Sequence, residues 1–451
     1  MIFKSTNPYT GQNIAEYTTL TSKALQEKLI ASADAFQEWK LTPLAHRTKL
    51  IKEAGTVLRQ HKEGYAQMIT AEMGKPISES RAEIDKCAWV CEYYAAHAEE
   101  FLADEVIETE ASLSLVRHDP IGAVFAVMPW NFPFWQVFRF AAPTLTAGNV
   151  GLLKHASNVF GCAEYIEEVF RKAGFPEAVF QNLIIHHDAT EDVISHHAVK
   201  AVTLTGSEKA GAAVAKLAGK HIKKSLLELG GSNAFIVLED ADLDLAVTTA
   251  VKARMMNTGQ SCIAAKRFII LDPVYDEFVL RFIKEVKKLK QGNPALEGTH
   301  IGCLAREDLA EELQRQIQAS ISQGAELLYG GNQQGSHHEP TVLGSVTEGM
   351  PAFDEETFGP LAAMVRVSSV EEAFKWSENS KFGLGVSLFT QNKDKVLDYA
   401  EKVSDGSLFI NELVKSDPRL PFGGTKSSGY GRELSRDGMM EFINRKVVYV
   451  K

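Results

Sequence analysis

From Ile121 onwards, short apolar runs alternate with stretches of helical periodicity, and this alternation constrains the fold more than any other feature of the chain. The runs IGAVFAVMP, NVGLLKH, NLIIHH, AVTLTG and NAFIVL each have the length of a buried parallel strand. Parallel strands need crossover connections, so strands that alternate with helices predict βαβ units and a doubly wound α/β sheet. A second series follows Cys262, with a strand at 267–272, a helix from about 275 to 290, and a last strand in RKVVYVK.

The segment from residue 22 to about 105 is predicted to be helical, because Leu25, Leu29 and Phe36 lie on one apolar stripe and Glu, Lys and Ala dominate throughout. Residues 112–118 (SLSLVRH) then partly alternate between apolar and polar, which is typical of a strand exposed on one face. We therefore expect a helical region that leads through one strand into the α/β part.

The charge balance and hydropathy exclude several classes of protein. The 451 residues include 48 Lys and Arg against 58 Asp and Glu, a net charge of −10, whereas nucleic-acid binders usually present a basic surface. No apolar run approaches the roughly 20 residues of a transmembrane helix, and the N-terminus MIFKSTNPYTG lacks a signal-peptide pattern. We expect a cytoplasmic protein of two or three domains that binds neither nucleic acid nor a membrane.

The cysteines do not form a disulfide framework or a metal site. Their odd number and unpaired spacing fit a reducing compartment, and they are Cys87, Cys91, Cys162, Cys262 and Cys303. Cys262 differs from the others because it ends the polar, glycine-containing segment NTGQSC, directly before a strand. Two interpretations remain open: a thiolate activated by the amide dipoles of a turn, or the small packing residue that a lone cysteine usually is.

Two further polar residues occur in unusual surroundings. Glu228 lies inside the apolar run SLLELGGSN, where burial would raise its pKa towards that of a general base; the alternative is a glutamate that caps a turn. Asn131 lies in PWNFP, where its amide would donate to a developing oxyanion; the alternative is a proline-rich turn with aromatic packing.

The segment TGSEKAG at 205–211 follows a strand and opens a helix, which is the setting in which helix N-termini bind phosphate. Its two glycines, Gly206 and Gly211, have G-x4-G spacing, which differs from the usual dinucleotide pattern G-x-G-x-x-G. The segment alone is therefore a weak indication of a dinucleotide site.

Taken together, these segments resemble the aldehyde dehydrogenase superfamily over essentially the whole chain. The matching motifs occur in the family's order, and Glu228 precedes Cys262 by the family's spacing of 262 − 228 = 34 positions. The motifs are NPYTG (7–11), PWNFP (129–133), LTGS (204–207), LLELGG (226–231), GQSC (259–262), EETFGP (355–360) and PFGGTKSSGYGREL (421–434).

The resemblance implies a role for each of the three catalytic candidates. Cys262 would attack the aldehyde carbon, and the Asn131 side chain and the Cys262 backbone N–H would hold the oxyanion. Glu228 would then activate the water that hydrolyses the thioester. Relatives that pass the acyl group to coenzyme A characteristically lack this glutamate, so its presence favours a free acid as the product.

For the cofactor, the resemblance implies a dinucleotide site lined by Trp130, Lys154, Ser157, Gly206, Ser207, Gly211, Glu356 and Phe358. Strict NAD users often carry glutamate where this chain has Ser157, and a glutamate would repel a 2′-phosphate. We therefore expect NADP or NAD, with NADP favoured. The chain departs from many relatives at Ile185–Asp188 (IHHD), where they have a glycine-containing turn. No metal is expected there, because adjacent histidines cannot easily point at one ion.

For the substrate, Arg139 lies eight residues after Asn131 in the aromatic-rich segment FPFWQVFRF, where a buried cation needs an anion. The residues alone leave open whether it reaches the surface, pairs within the protein or binds a ligand. A resemblance to the short bacterial succinate semialdehyde dehydrogenases implies that it holds the distal carboxylate of the substrate. The remaining expected contacts are Arg419 as a second cation at the tunnel mouth, Ser261 as a hydrogen-bond donor, and Trp135 and Phe134 as an apolar wall.

Two alternatives to this function remain open: a dehydrogenase for a neutral aliphatic or aromatic aldehyde, and a non-catalytic structural member of the fold. The resemblance further implies a Rossmann-like dinucleotide-binding domain (1–101 and 121–228) and an α/β catalytic domain (229–430). A small β oligomerisation element would combine 102–120 with 431–451. Unpaired edges on its strands predict a homodimer or homotetramer.

Overall fold

The computed structural model describes all 451 residues. The α-helices are α1 Ser22–Trp39, α2 Leu44–Gln60, α3 Lys62–Met73, α4 Ile77–Phe101, α5 Trp135–Thr146, α6 Phe160–Lys172, α7 Thr190–Ser195, α8 Glu208–Lys220, α9 Leu243–Met255, α10 Asp272–Val286, α11 Glu307–Ser322, α12 Pro351–Asp354, α13 Val370–Glu378, α14 Val396–Ala400 and α15 Ser435–Met440. The strands are β1 Ile2–Thr6, β2 Asn13–Thr18, β3 Glu105–Val106, β4 Leu113–Pro120, β5 Ala123–Met128, β6 Val150–His155, β7 Phe180–Asn182, β8 Val199–Thr205, β9 Lys224–Glu228, β10 Asn233–Val237, β11 Ala265–Leu271, β12 Glu326–Tyr329, β13 Gln333–Gln334, β14 His337–His338, β15 Thr341–Gly344, β16 Leu361–Val367, β17 Phe382–Gly383, β18 Val386–Phe389, β19 Leu408–Ile410, β20 Thr425–Lys426, β21 Gly429–Tyr430 and β22 Ile443–Val450.

Two large sheets organise the chain, and both are mainly parallel, as the alternation of apolar runs and helices predicts. The first has the order β21-β9-β8-β5-β6-β7, with β21 as its antiparallel strand. From β5 the chain runs outwards through β6 and β7 and then returns to β8 on the other side. The strand order therefore reverses beside β5, and ligands of such sheets bind at the carboxyl ends of the strands at this point.

The second large sheet has the order β12-β15-β16-β11-β10-β18-β19, with β12 as its antiparallel strand. Its central strands are buried on both faces. Along β10, Ala234 and Ile236 join one apolar core, whereas Phe235 and Val237 join another on the opposite face. Helices cover both faces of this sheet, which accounts for the near-continuous apolar runs in the sequence.

The helical N-terminal region is confirmed by α1 to α4, but one predicted strand is wrong and one hairpin was missed. Only the first residue of the run NLIIHH belongs to a strand, because β7 ends at Asn182. Beyond it the Ile184 carbonyl accepts a hydrogen bond from the Leu20 backbone N–H, so the chain has left the sheet. The hairpin of β1 and β2 at the N-terminus was not predicted.

A third, three-stranded sheet joins the strand near residue 112 to the chain end, as predicted. Strand β4 pairs antiparallel with β22 over its whole length. The expectation of free edges on both strands is wrong for β4, because β3 pairs with its other side. Of these two strands, β22 alone lies at an edge of the sheet, where Val447 and Tyr449 are exposed. None of the helices is both long enough and apolar enough to cross a membrane.

Candidate active site

The segment Pro129–Pro133 connects β5 to α5 and holds Asn131 against the loop that carries Cys262. The Asn131 side chain is buried, and its Nδ2 donates to the Gln260 carbonyl at 3.1 Å. The Asn131 carbonyl in turn accepts from the Asn257 side chain at 2.9 Å. A carboxamide has two N–H protons, so Asn131 keeps one donor for a ligand. The prediction that this residue donates to an oxyanion is geometrically possible.

Helix α4 holds the start of α5 in place through hydrogen bonds from the α5 backbone to a side chain of α4. The buried Glu83 carboxylate accepts hydrogen bonds from the backbone N–H groups of Phe134 and Trp135, at 2.9 and 3.0 Å. Lys75 forms a buried ion pair with Glu83, and its ammonium lies 3.9 Å from the centre of the Phe132 ring. A carboxylate at a helix N-terminus is favourable, and here it immobilises the segment that contains Asn131.

The loop before Cys262 has an unusual backbone. Asn257, Thr258 and Gly259 follow one another in the left-handed region, with φ of 58°, 54° and 74°. A Cβ on Gly259 would lie 2.3 Å from the Gly359 carbonyl oxygen, so only glycine fits there. Left-handed non-glycine residues are strained and persist where the surroundings impose them, often at functional sites. Glu79 contributes to this by accepting from the Asn257 N–H at 2.7 Å.

Lys266 is a buried cation that contacts the backbone of the Cys262 loop. Its Nζ donates to the carbonyls of Ser261 and Cys262, at 2.9 and 2.8 Å, and lies 3.6 Å from the Glu356 carboxylate. Burial lowers the pKa of Lys266 to about 8. Sequence reasoning did not identify this residue, although a lysine inside the apolar run of β11 was a usable signal.

Cys262 is the one cysteine of five that is not fully buried. Burial within the site raises the pKa of its thiol to about 11, and the Lys266 ammonium opposes that rise. The free thiol is therefore largely protonated at neutral pH, and only its small thiolate fraction is reactive.

Alkylation tests this environment directly. Because only the thiolate reacts, we expect the rate of Cys262 alkylation by iodoacetamide, without cofactor, to rise about tenfold per pH unit from pH 7 to pH 9. Peptide mapping measures this rate and separates Cys262 from the four buried cysteines. A rate that is already constant above pH 7 would contradict the raised thiol pKa.

Glu228 ends β9 and is buried, and neither of its carboxylate oxygens has a hydrogen-bond partner. Burial raises the pKa of this carboxyl well above its usual range, and the Arg139 guanidinium opposes the rise. The Gly424 backbone N–H also opposes the rise, so the carboxylate faces one backbone donor but forms no hydrogen bond of good geometry with it. A buried, unpartnered carboxyl of raised pKa is suited to accept a proton from water.

Arg139 lies on α5 and is buried. It forms an ion pair with the buried Glu433, donates to Thr205 Oγ1 at 3.2 Å, and lies 4.8 Å from the Phe422 ring centre. Of the alternatives left open by the sequence, pairing within the protein therefore occurs. Arg139 nevertheless also lines the cavity that contains Cys262, and its contact with a substrate stays a prediction.

This cavity has a volume of about 540 Å³. Of the predicted substrate residues, Ser261, Trp135 and Arg139 line it together with Cys262. Many further side chains that sequence reasoning missed also line it, among them Lys86, Phe132 and Phe422. Lys86 comes from α4, far from any motif, and no pattern in the sequence indicated it.

Two of the predicted substrate residues lie elsewhere. Arg419 does not line the cavity, because Asp417 binds its guanidinium in a bidentate pair at 2.8 and 2.7 Å and the side chain is exposed. Phe134 is fully buried in the core, where its ring stacks on Phe138. Phe132 forms the apolar wall in its place.

The residues expected to bind a dinucleotide lie at the carboxyl ends of strands in the first sheet. Lys154 is near the end of β6, half-buried and without a hydrogen-bonding or ionic partner, and burial lowers its pKa. Ser157 is exposed three residues later. After β8, Gly206 forms the turn and the Ser207 hydroxyl accepts from the Ala210 N–H at 3.3 Å, capping α8. The free N–H groups of a 13-residue helix and an unpartnered lysine fit a pyrophosphate and a ribose phosphate.

The remaining residues of this group have different surroundings. Trp130 packs edge-on against Phe358 with ring centres 5.6 Å apart, and Glu356 accepts from the Gly231 N–H at 2.9 Å. Gly211 is corrected from a cofactor contact to a packing residue, because a Cβ there would lie 2.6 Å from a Leu229 methyl group. The third glycine of dinucleotide turns has the same packing function.

The segment Ile185–Asp188 differs from the prediction in one respect. The imidazoles of His186 and His187 lie side by side and both contact the Asp188 carboxylate, at 2.8 and 3.1 Å, so adjacent histidines do converge here. His187 and Asp188 are exposed, and exposed groups of this kind are common without a metal.

Comparison with known proteins places this arrangement in a family. The sequence profile described as "Aldehyde dehydrogenase family" matches residues 1–448. The chain belongs to the aldehyde dehydrogenase family. The predicted fold is confirmed, since solved structures superpose on 99 to 100% of the chain with TM-scores of 0.96 to 0.98.

Individual family members are similar over their full length. A probable succinate-semialdehyde dehydrogenase [NADP(+)] from Synechocystis sp. is 47% identical and covers 100% of both chains. The Escherichia coli K12 succinate semialdehyde dehydrogenase [NAD(P)+] Sad is 43% identical over 99% of this chain and 97% of its own. A crystal structure of succinic semialdehyde dehydrogenase from Streptococcus pyogenes in complex with NADP+ is 37% identical, covers 99% of both chains and has a TM-score of 0.97.

Proposed function

We propose that this chain oxidises succinate semialdehyde to succinate, with NADP as the favoured hydride acceptor. The observation that carries the proposal is the cavity at Cys262, whose charged lining favours an anion. Four cations line it, Lys86, Arg139, Lys252 and Lys415, against two carboxylates. A volume of about 540 Å³ suits a small molecule. Relatives named for this substrate, at 42–47% identity over nearly the whole chain, support the same assignment.

In the first half of the reaction, the Cys262 thiol loses its proton to solvent, the resulting thiolate attacks the aldehyde carbon, and the carbonyl π electrons move to oxygen. The free N–H of the Asn131 amide and the Cys262 backbone N–H stabilise that oxyanion; the loss of one such donor typically costs about 100- to 1,000-fold in rate. The bound nicotinamide supplies the hydride acceptor. Loss of hydride from the thiohemiacetal carbon leaves a thioester on Cys262.

In the second half, Glu228 accepts a proton from a water molecule, whose oxygen attacks the thioester carbon. The carbon–sulfur bond breaks, the acid leaves, and the proton that Glu228 accepted passes to the Cys262 sulfur. Burial supports this role because it raises the pKa of the Glu228 carboxyl, and a base of higher pKa removes a proton from water more readily. Covalent catalysis thus divides a difficult oxidation into two steps.

For the cofactor, we propose that Trp130, Lys154, Ser157, Ser207, Glu356 and Phe358 line the dinucleotide and that Gly206 allows its close approach. Lys154 has no partner in the protein, so its ammonium is available to a 2′-phosphate. The neighbouring Ser157 is neutral and exposed, so it does not repel that phosphate. These two residues together favour NADP over NAD.

Replacing Ser157 with glutamate tests this preference. A carboxylate there would repel the 2′-phosphate, so we expect the KM for NADP to rise about 100-fold while NAD is used at least as well as before. Initial rates with both cofactors measure the change. Ser157→Gln is the matched control, since it adds nearly the same volume without charge and should raise the KM for NADP far less. Equal KM values for the Glu and Gln variants would contradict the electrostatic explanation.

We further propose that Arg139 and Ser261 contact the substrate, with Trp135 as an apolar wall. We also propose the domain division given by the resemblance, with 1–101 and 121–228 as the cofactor part and 229–430 as the catalytic part. The free edge of β22 supports assembly as a homodimer or homotetramer, because an unpaired edge can pair with another chain. A cytoplasmic location is consistent with five free cysteines.

Reduction of NADP with a panel of aldehydes tests the proposed function. The panel contains succinate semialdehyde, butanal of the same chain length, and benzaldehyde, each with NADP and with NAD. We expect kcat/KM to be highest for succinate semialdehyde with NADP. Preference for butanal or benzaldehyde would indicate a dehydrogenase for neutral aldehydes, and no turnover with any member would indicate a non-catalytic protein.

A further inference from the structure

Lys86 presents an ammonium group to the Cys262 cavity. It lies on α4, half-buried, and its Nζ donates to Ser416 Oγ at 2.7 Å. The same Nζ lies 4.2 Å from the centre of the Trp135 ring. Ser416 and Trp135 also line the cavity, so two cavity-lining groups hold the ammonium in place.

No carboxylate forms an ion pair with Lys86, and this distinguishes it from the other cations of the cavity. Arg139 is paired with Glu433, and Lys415 is paired with Glu412 at 2.7 Å. Lys252 also has no ionic partner, but it is exposed to solvent. An ammonium that is withdrawn from water without an anion is costly, and an anionic ligand offsets that cost.

The two carboxylates that line the cavity are already engaged. Glu83 is paired with Lys75 and accepts the two backbone N–H groups at the start of α5. Glu79 accepts from the Asn257 N–H, and burial raises its pKa to about 7. Burial likewise lowers the pKa of Lys86 to about 8, which leaves it mainly protonated at neutral pH. Lys86 therefore keeps a positive charge that no ion pair within the protein neutralises.

One neutral donor accompanies the ammonium. Ser416 is buried and accepts from Lys86, so its own hydroxyl proton is free to be donated elsewhere. A carboxylate accepts up to about four hydrogen bonds, and an ammonium and a hydroxyl can supply several of them.

We propose that Lys86, assisted by the Ser416 hydroxyl, binds the distal carboxylate of the substrate. The enzyme then selects ω-carboxy aldehydes mainly through Lys86, because Glu433 already neutralises much of the charge of Arg139. This inference rests on the proposed function and specifies which group reads the substrate's anion. Trp135 keeps water away from the pair, which strengthens a charge-assisted hydrogen bond.

The test compares succinate semialdehyde with butanal in Lys86→Met and Lys86→Arg. We expect Lys86→Met to lower kcat/KM for succinate semialdehyde about 30-fold, chiefly through KM, and to leave butanal within about twofold. Lys86→Arg keeps the charge and should retain most of the preference. Lys284→Met, on the exposed face of α10, is the matched control and should change neither substrate.

Product binding provides a second measurement that does not depend on turnover. Succinate should protect Cys262 from alkylation in the native enzyme, at a concentration about 30-fold lower than in Lys86→Met. Equal losses for both aldehydes, or unchanged succinate protection in Lys86→Met, would overturn the assignment of Lys86. A native enzyme that does not prefer succinate semialdehyde over butanal would instead refute the proposed function, and succinate protection would still test Lys86.

Discussion

Replacing Cys262 with alanine is expected to lower kcat for aldehyde oxidation by at least about 10,000-fold, because no other group can form the thioester. The other four cysteines are fully buried and cannot substitute for it. The fold should survive the change, since Cys262 is only partly buried and lies in a loop whose backbone is held by Lys266. Formation of NADPH measures the loss.

The control for this variant is Cys91→Ala, which removes a buried thiol from the helical core without touching the cavity. Cys91→Ala should retain activity after correction for any lost stability. Cofactor binding, measured by calorimetry, should be nearly equal in Cys262→Ala and the native enzyme. A Cys262→Ala enzyme that still reduces NADP at a comparable rate would refute the nucleophile.

Replacing Glu228 with glutamine is expected to lower steady-state turnover about 1,000-fold while leaving the first turnover intact. Glutamine has the same shape, and neither carboxylate oxygen of Glu228 has a hydrogen-bond partner, so little native structure depends on the charge. Without a base, the thioester hydrolyses slowly. A rapid-mixing experiment should therefore record a burst of NADPH equal to the number of active sites, followed by a slow phase.

A small nucleophile distinguishes this role of Glu228 from an earlier one. Hydroxylamine cleaves thioesters without needing a base, so it should restore turnover in Glu228→Gln but not in Cys262→Ala. If Glu228→Gln lost the burst as well as the steady state, Glu228 would act before hydride transfer, and its assignment to hydrolysis would be wrong.

The fold was largely predictable because its determinants are local and periodic. Apolar runs of strand length alternate with helices, and their burial on both faces in β5, β8 and β10 follows from that pattern. Strand ends were less predictable, because they depend on partners distant in sequence. The run NLIIHH is apolar enough for a strand. The Ile184 carbonyl, however, accepts a hydrogen bond from the Leu20 N–H instead of from a neighbouring strand of the sheet.

The catalytic candidates were identifiable because each violates a local rule. Cys262 is a cysteine in a polar turn, and Glu228 is a carboxylate in an apolar run. Charge pairing across the fold was not identifiable in the same way. Whether Arg139 faces Glu433, and whether Asp417 withdraws Arg419 from the cavity, depends on side-chain packing. Lys86 lies in an ordinary helix, and only the tertiary structure reveals that it faces Cys262.

The measurement that most directly tests the covalent mechanism is mass spectrometry of Glu228→Gln, quenched after mixing with succinate semialdehyde and NADP. Slow hydrolysis should allow the acyl-enzyme to accumulate. We expect a succinyl group on the peptide that contains Cys262, on no other peptide, and in an amount equal to the NADPH burst. A burst of NADPH without acylated Cys262, or with the acyl group on another residue, would contradict the account.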